Sequence, residues 1–194
     1  MHPAPSIIAF TTLSGLGFGL LFWLGIDPDP PRGWVGFTFF FIAFGLTGAG
    51  LAASTLHLGR RDRAIKAFSQ WRTSWLSREA WAAAAAMSVM GGYGFCLILL
   101  GVHLAPVGWL GALLSLATVG TSSMIYAQLK TVPRWHHWST PALFLALSLA
   151  GGALLAGEIS SASFLIAVAG GLQAYCFWHG DQRFNHAGST LASA

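Results

Sequence analysis

Six long stretches of this 194-residue sequence contain no Asp, Glu, Lys or Arg. They run over residues 6–26, 34–57, 80–102, 107–129, 138–157 and 160–178. A helix crosses the hydrocarbon core of a bilayer with about 20 apolar residues, and these stretches hold about 19 to 24 each. Backbone groups in lipid must be satisfied internally, and the alternating pattern of a membrane β-barrel is absent. We therefore predict an all-α, polytopic membrane bundle of about six transmembrane helices, forming a single domain over residues 1–194.

The composition supports a membrane protein. Hydrophobic residues make up 55% of the chain and charged residues only 8%, whereas soluble domains carry about 25% charged residues. The formal net charge is +4, and the cations are concentrated in a few segments. Such an excess is too small and too local for nucleic-acid binding. It suits a loop at an anionic membrane face instead.

The two cysteines, Cys96 and Cys176, both lie in apolar stretches and have no neighbouring cysteine at CxxC spacing. This pattern does not indicate a disulfide framework or a zinc site. We expect both to be buried thiols and predict no metal site.

The charged residues between the stretches are distributed unevenly between the two sides of the membrane. Nine of the ten cations fall on the side of the second loop, the fourth loop and the C-terminal tail: Arg60, Arg61, Arg63, Lys66, Arg72, Arg78, Lys130, Arg134 and Arg183. The other side has only Arg32, together with Asp27, Asp29 and Glu158. By the positive-inside rule, both termini and the basic loops are predicted to be cytoplasmic in a bacterial inner membrane.

Six of the cations lie within "LHLGRRDRAIKAFSQWRTSWLSREAW", residues 56–81. The apolar residues of this segment follow a helical i, i+3, i+4, i+7 spacing: Ala64, Ala67, Phe68, Trp71 and Trp75. The spacing predicts an interfacial amphipathic helix at about residues 63–75, with its aromatic side toward the lipid and its cations toward headgroups or a partner. Basic helices of this kind often serve only to anchor and orient a protein.

Two titratable residues flank the basic segment. His57 ends the second stretch, and an imidazole with a pKa near 6.5 can accept a proton or donate a hydrogen bond. Glu79 precedes the third stretch, two residues after Ser77, a candidate N-cap. It is either a favourable carboxylate at a helix N-terminus or a proton acceptor beside His57. Together with Trp71 and Trp75, the pair is typical of a site for a small amphipathic redox molecule.

Three motifs carry a family resemblance: "HLGRRDRA", "SWLSRE" and "SSMIYAQLKTVPRWHHWSTPALF". Over most of residues 50–190 the chain resembles the membrane anchor subunit of dimethyl sulfoxide reductase, the DmsC family. The resemblance implies an anchor that holds a molybdopterin catalytic subunit and an iron–sulfur subunit on the membrane. It would exchange electrons between the quinone pool, menaquinone or ubiquinone, and the nearest cluster. It would not itself act on the substrate of the complex.

The resemblance also implies site residues. The histidine matching His57 serves quinol binding in the family, and the glutamate matching Glu79 is implicated in the same site. Arg63 matches a basic position of the motif, and we expect it to take part in quinone binding or proton transfer. The remaining cations of the segment are expected to dock the iron–sulfur subunit: Arg60, Arg61, Lys66, Arg72 and Arg78. The chain departs from the family pattern at Arg61, where proline is common, and in having six spans where eight are usual.

Iron–sulfur clusters are held mainly by cysteine thiolates. With only two cysteines, both in apolar stretches, this chain is expected to leave the clusters, like the molybdopterin, to partner subunits.

A small transporter is one alternative. Transporters place ionisable residues near the bilayer midplane, facing a pathway. The six stretches contain no Asp, Glu, Lys or Arg, which argues against this class.

A haem b-bearing anchor is another alternative. Four histidines map to the basic side: His57, His136, His137 and His179. Two of them on facing helices could ligate an iron axially. Histidines beside tryptophans, as in "RWHHW", also occur in the aromatic belt of membrane proteins.

The direction of electron flow stays open at this point. Related complexes either reduce an S- or N-oxide with quinol or oxidise a substrate such as sulfite and reduce quinone. The charge bias favours a cytoplasmic, sulfite dehydrogenase-type complex.

Overall fold

A computed structural model describes residues 5–56, 68–132 and 134–186, and within these ranges it contains helices and turns but no strands. The six helices are α1 Pro5–Ile26, α2 Gly33–Leu56, α3 Trp75–Leu99, α4 Ala105–Ala127, α5 Ser139–Ala156 and α6 Ile159–His186. All six are long and apolar enough to cross a membrane. The predicted all-α class and the number of spans are confirmed.

Two helices extend beyond the uncharged stretches that predicted them. α3 begins at Trp75 rather than at residue 80, and α6 continues to His186 rather than ending at 178. Ser74 is the N-cap of α3, with extended φ and ψ angles of −111° and 124°, and serine is favoured at this position. The predicted cap, Ser77, is wrong, because this residue lies inside the helix and is buried.

The predicted interfacial helix differs from the structure over its described part. Residues 69–73 form turns rather than an α-helix, and residues 63–67 lie outside the described ranges. Side chains of α3 bind the carbonyl groups that a continuing helix would use. Trp81 donates to the carbonyl of Phe68, and Arg78 donates to the carbonyls of Trp71 and Arg72, at 2.7 to 3.0 Å.

The helices form a bundle in which α1 is central and packs on α2, α4 and α5. Close approach of α1 to α5 depends on Gly19 and Gly152, since a Cβ on either residue would overlap the backbone of the other helix. The indole of Trp23 also donates to the carbonyl of Leu149, at 2.9 Å. Small residues at helix contacts are the usual means of close packing in a bilayer.

α3 packs along α4 and α2, and α6 packs mainly on α5. The core lies between α1, α2, α3 and α4 and contains large apolar side chains, among them Phe18, Leu21, Phe40, Met90, Tyr93 and Leu97. Gly111 of α4 faces the Met90 side chain. The pairing of α3 with α4 fixes the height of the residues on each helix relative to the other.

The bundle has two chemically different ends. The connections α1–α2, α3–α4 and α5–α6 are short, so these neighbouring helices run antiparallel. We call one end the basic end; it contains the start of α1, α3 and α5, with described cations Arg72, Arg78, Lys130, Arg134 and Arg183. The other, the acidic end, carries Asp27, Asp29 and Glu158, with Arg32.

Candidate functional site

Glu79 lies near the basic end, inside α3, and only 4% of its surface is exposed. Its carboxyl accepts a hydrogen bond from the hydroxyl of Ser122 on α4. Burying a carboxyl among apolar helices costs free energy unless hydrogen bonds compensate. Ser122 therefore stabilises Glu79 in a position where water is largely excluded.

The hydroxyl of Ser122 has two acceptors within reach. One is the Glu79 carboxyl, and the other is the backbone carbonyl of Thr118, 3.0 Å away. A serine hydroxyl has one proton to donate and two lone pairs that accept. Ser122 can donate to an ionised Glu79, or accept from a protonated Glu79 while donating to Thr118. The pair is thus compatible with both protonation states of the carboxyl.

Tyr126 lies one turn beyond Ser122 on α4. Its ring contacts Phe144 of α5, with centroids 5.4 Å apart, and Trp135 of the α4–α5 connection, at 5.6 Å. These aromatic contacts hold the last turn of α4 in place.

A cavity of about 620 Å³ lies between α1, α4, α5 and α6, and Ser122 is part of its wall. The wall is predominantly apolar, with Leu16, Phe18, Val119, Phe144, Leu147 and Ile166 among its residues. Pockets that bind small molecules are usually of this size, about 300–1,000 Å³, and are mostly apolar with a few polar groups. Ser122 therefore lies between a ligand-sized apolar cavity and the buried carboxyl of Glu79.

The structure describes one of the three residues predicted to bind quinone. Glu79 is buried as described above, whereas His57 and Arg63 lie outside the described residues. Glu79 belongs to the second turn of α3 rather than to the helix start, because α3 begins at Trp75. The proximity of His57 to Glu79 stays a prediction.

Of the five residues predicted to dock a partner, Arg72 and Arg78 are described, and Arg60, Arg61 and Lys66 lie outside the described residues. The guanidinium of Arg72 lies 5.4 Å from the centroid of the Trp71 ring, at an exposed position. The Arg78 guanidinium lies 4.2 Å from the centroid of the Trp75 ring and donates to two carbonyls of the preceding turn. Arg78 thus stabilises its own segment, and Arg72 presents the more accessible charge.

Sequence reasoning missed Ser122 and the cavity. A signal for Ser122 was available, because Glu79 and Ser122 lie at nearly the same distance from the basic end in two consecutive helices. Consecutive helices with a short connection pack antiparallel, so residues at equal depth are candidates for contact. The cavity depends on the packing of four helices and has no local sequence signal.

A second group of titratable residues joins the α4–α5 connection to α6. The rings of His137 and His179 have centroids 4.3 Å apart, and Arg183 donates to the carbonyl of His136 at 2.5 Å. Burial lowers the pKa of His137 below its ordinary value of 6.5, and the neighbouring His179 and Arg183 lower that pKa further. The neutral form of His137 is therefore favoured in the folded protein.

The same geometry bears on the haem alternative. Axial ligation needs two imidazoles facing each other across the iron, but the rings of His137 and His179 are in contact. His136 donates its Nδ1 proton to the carbonyl of Ala127, 2.7 Å away. Among the described residues, no group of three or more His, Cys, Asp or Glu side chains is arranged to hold a metal ion.

The absence of Asp, Glu, Lys and Arg from the predicted spans argued against a transporter, but this absence does not hold for the helices of the structure. α3 starts before the uncharged stretch and includes Arg78 and Glu79. Glu79 lies near the basic end of this helix rather than at its middle. A buried ionisable group in a spanning helix is a candidate functional residue, and its depth suits chemistry close to one membrane face.

Comparison with known proteins identifies the family. Residues 3–170 match the DMSO reductase anchor subunit family, DmsC. The chain is 36% identical over 186 residues to a sulfite dehydrogenase subunit from Allochromatium vinosum, an alignment covering 83% of this chain and 56% of the relative. It is 30% identical over 161 residues to the anaerobic dimethyl sulfoxide reductase chain YnfH of Escherichia coli, covering 80% and 54%.

The chain spans about half the length of the curated relatives it matches. No solved structure matches it. The family match covers most of the chain, including α1 to α5 and the pair of Glu79 and Ser122. The chain, a multi-pass membrane protein, belongs to the DmsC family of DMSO reductase anchor subunits.

Proposed function

We propose that this chain anchors a molybdopterin and iron–sulfur oxidoreductase to the membrane and exchanges electrons between the quinone pool and the iron–sulfur subunit. Family membership supports the anchoring role, and the similar proteins carry the names sulfite dehydrogenase and dimethyl sulfoxide reductase. The molybdopterin and the clusters belong to the partner subunits. The exchangeable cofactor of this chain is menaquinone or ubiquinone.

The buried carboxyl of Glu79 is the observation that carries the proposal. Oxidation of a quinol to a quinone releases two electrons and two protons. An iron–sulfur cluster accepts the electrons, but the protons need acceptors in the protein, and a positioned acceptor accelerates such a step by about 10²–10⁴-fold. Glu79, near the basic end and bonded to Ser122, is suited to accept one proton, and His57 is proposed to accept the other.

The basic end is proposed to dock the iron–sulfur subunit. Arg72 is exposed there, and Arg60, Arg61, Lys66 and Arg78 belong to the same segment. We propose that Arg63 orients the quinone. Quinone exchange at Glu79 then takes place close to the docked cluster, which shortens the path of the electrons.

We propose that both termini and the basic end face the cytoplasm of a bacterial inner membrane, as the distribution of cations favours. This orientation suits a complex that oxidises a substrate such as sulfite and reduces quinone. Alkaline phosphatase fused after Ala194 is expected to be inactive. An active fusion would reverse the orientation.

Binding of a quinol-analogue inhibitor tests the quinone site. Fluorescence quenching of the inhibitor by membranes containing the assembled complex should be saturable in the wild type. We expect Glu79→Gln and His57→Ala each to weaken binding at least tenfold, because each removes a proton acceptor that holds the quinol hydroxyls directly or through a neighbouring hydroxyl. Glu158→Gln is the matched control, since it changes an exposed carboxyl at the acidic end. Unchanged binding in both site variants, with the complex assembled, would contradict the proposal.

A further inference from the structure

We propose that the isoprenoid quinone occupies the cavity between α1, α4, α5 and α6, and that Ser122 passes a proton between its ring hydroxyl and Glu79. This inference rests on the function proposed above and adds the route of the quinone and the residue that contacts it. The geometry that supports it is the position of Ser122 in the cavity wall, with its hydroxyl bonded to the Glu79 carboxyl.

Three other hydroxyls of the cavity wall are engaged differently. Thr11, Ser14 and Ser148 donate to backbone carbonyl oxygens, at 2.6 to 3.2 Å. Such bonds satisfy a hydroxyl within a spanning helix and provide no path for a proton. Ser122 also reaches a carbonyl, that of Thr118, but it bonds an ionisable side chain as well. Ser122 is therefore a position in this wall where a proton can pass to an ionisable side chain.

The chemistry of the cavity favours a quinone over a lipid chain. Its apolar wall fits an isoprenoid tail, and its volume of about 620 Å³ suits a ring with part of a tail. A phospholipid acyl chain fits the apolar wall equally well but has no group for the hydroxyl of Ser122. A quinol ring has hydroxyl groups that exchange protons, which matches a hydroxyl backed by a buried carboxyl.

The proton step is balanced. A ring hydroxyl of the quinol gives its proton to the Ser122 oxygen, and the Ser122 proton passes to the Glu79 carboxylate, so that serine is regenerated and Glu79 is protonated. The second proton is released to water at the membrane face, and two electrons leave one at a time to the oxidised cluster of the iron–sulfur subunit. Quinone reduction is the same sequence in reverse. The carbonyl of Thr118 accepts from Ser122 while Glu79 is protonated.

The first test replaces Ser122 in the assembled complex. We expect Ser122→Ala to lower kcat for quinone turnover, measured in the direction that the complex catalyses, at least tenfold while KM and inhibitor binding change less than twofold, because the alanine removes the relay but little volume. Ser122→Thr keeps a hydroxyl and should restore most of the rate. Ser123→Ala is the matched control, a buried serine whose hydroxyl donates to the carbonyl of Gly120 at 2.6 Å. Wild-type kcat in Ser122→Ala would overturn the relay.

The second test fills the cavity. Gly170 lines it, and a Cβ at this position has no neighbouring atom within 4 Å. Leucine there can extend into the cavity without displacing backbone. Gly171 is equally unobstructed but is not part of the wall. Gly170→Leu should weaken inhibitor binding at least tenfold, and Gly171→Leu should leave it unchanged; equal binding in the two variants would overturn the route.

Photolabelling of the complex with an azidoquinone distinguishes the possible occupants. We expect labelled peptides from α5 around Phe144 and Leu147, which line the cavity. Two results together would overturn the route. The azidoquinone label would be found only outside the cavity, and Phe144 and Leu147 would crosslink to a phospholipid or to a further transmembrane segment. If Glu79→Gln impairs inhibitor binding but Ser122→Ala and Gly170→Leu behave as wild type, the route fails and the proposed function stands. If neither Glu79→Gln nor His57→Ala has an effect, the function itself fails.

Discussion

Gly19 on α1 and Gly152 on α5 pack backbone against backbone, so closely that neither position has room for a Cβ. This contact holds α5 against the central helix and so shapes one wall of the cavity. The interface needs hydrogen on both α-carbons, since any side chain would push the helices apart.

Gly152→Leu should therefore destabilise the bundle. Overpacking a tight contact typically costs about 1–3 kcal/mol, and here the neighbouring atoms are backbone, which moves less easily than side chains. The melting temperature of detergent-purified protein would show the loss. Gly48→Leu on α2 is the control, because a Cβ there has no atom within 4 Å. Equal melting temperatures in the two variants would show that the contact is not tight.

Arg78→Lys should loosen residues 68–74 without affecting the rest of the bundle. The guanidinium of Arg78 donates to two carbonyls and stacks on Trp75, and lysine cannot reproduce this planar geometry. Limited proteolysis should cut the segment several-fold faster. Arg72→Lys should not change the rate, since Arg72 is exposed and its guanidinium lies 5.4 Å from the ring of Trp71. Faster cleavage in Arg72→Lys alone would contradict this assignment.

The protein should lose stability as the pH falls below about 6.5. The lowered pKa of His137 means that the unfolded chain binds more protons than the folded one between the two pKa values, so stability rises with pH in that window. Around His137, the backbone amide of Ser139 donates to Nδ1 at 3.3 Å, while His179 and Arg183 disfavour a positive charge.

Melting temperatures measured from pH 5 to pH 8 would test this dependence. The decrease on the acid side should be smaller in His137→Gln, which cannot be protonated. A curve of the same shape in wild type and variant would assign the acid sensitivity to another group.

The ion pair of Arg134 with Asp181 should contribute little. The two atoms are 2.6 Å apart, but the side chains are 49% and 60% exposed. Exposed pairs usually contribute about 0–1 kcal/mol and are screened by salt. Asp181→Asn should thus shift the melting temperature by no more than a few degrees, and less still at high salt. A large, salt-independent loss would indicate that the pair is buried in the assembled complex.

The number of helices could be predicted from the sequence because the absence of charges over a helix of membrane length is a strong and local signal. The helix ends could not be predicted in this way, because charged residues near them can belong to a helix when specific contacts stabilise them. Arg78 folds back onto carbonyls of its own segment, and Glu79 is bonded to Ser122. Both residues therefore belong to α3, although they precede the uncharged stretch.

Residues 68–75 have helical spacing of their aromatic side chains, yet residues 69–73 form turns. Periodicity reports which side chains could share a face but does not show which group binds each carbonyl. Here Trp81 and Arg78 bind those carbonyls. Glu79 was predicted as a site residue from the sequence, whereas its hydrogen-bond partner Ser122 could be found only from the packing of α3 on α4.

The central position of α1 has a consequence for biosynthesis. α1 leaves the ribosome before α4 and α5, two of the three helices that pack on it. In the interval, the face that later meets α5 is exposed to lipid or to the insertion machinery. The hydroxyl of Ser14 donates to the carbonyl of Phe10 within the same helix, so this polar group needs no later partner. α1 can thus reside in the bilayer as an independent helix. Its contact with α5 forms only after the residues up to Gly152 have been synthesised.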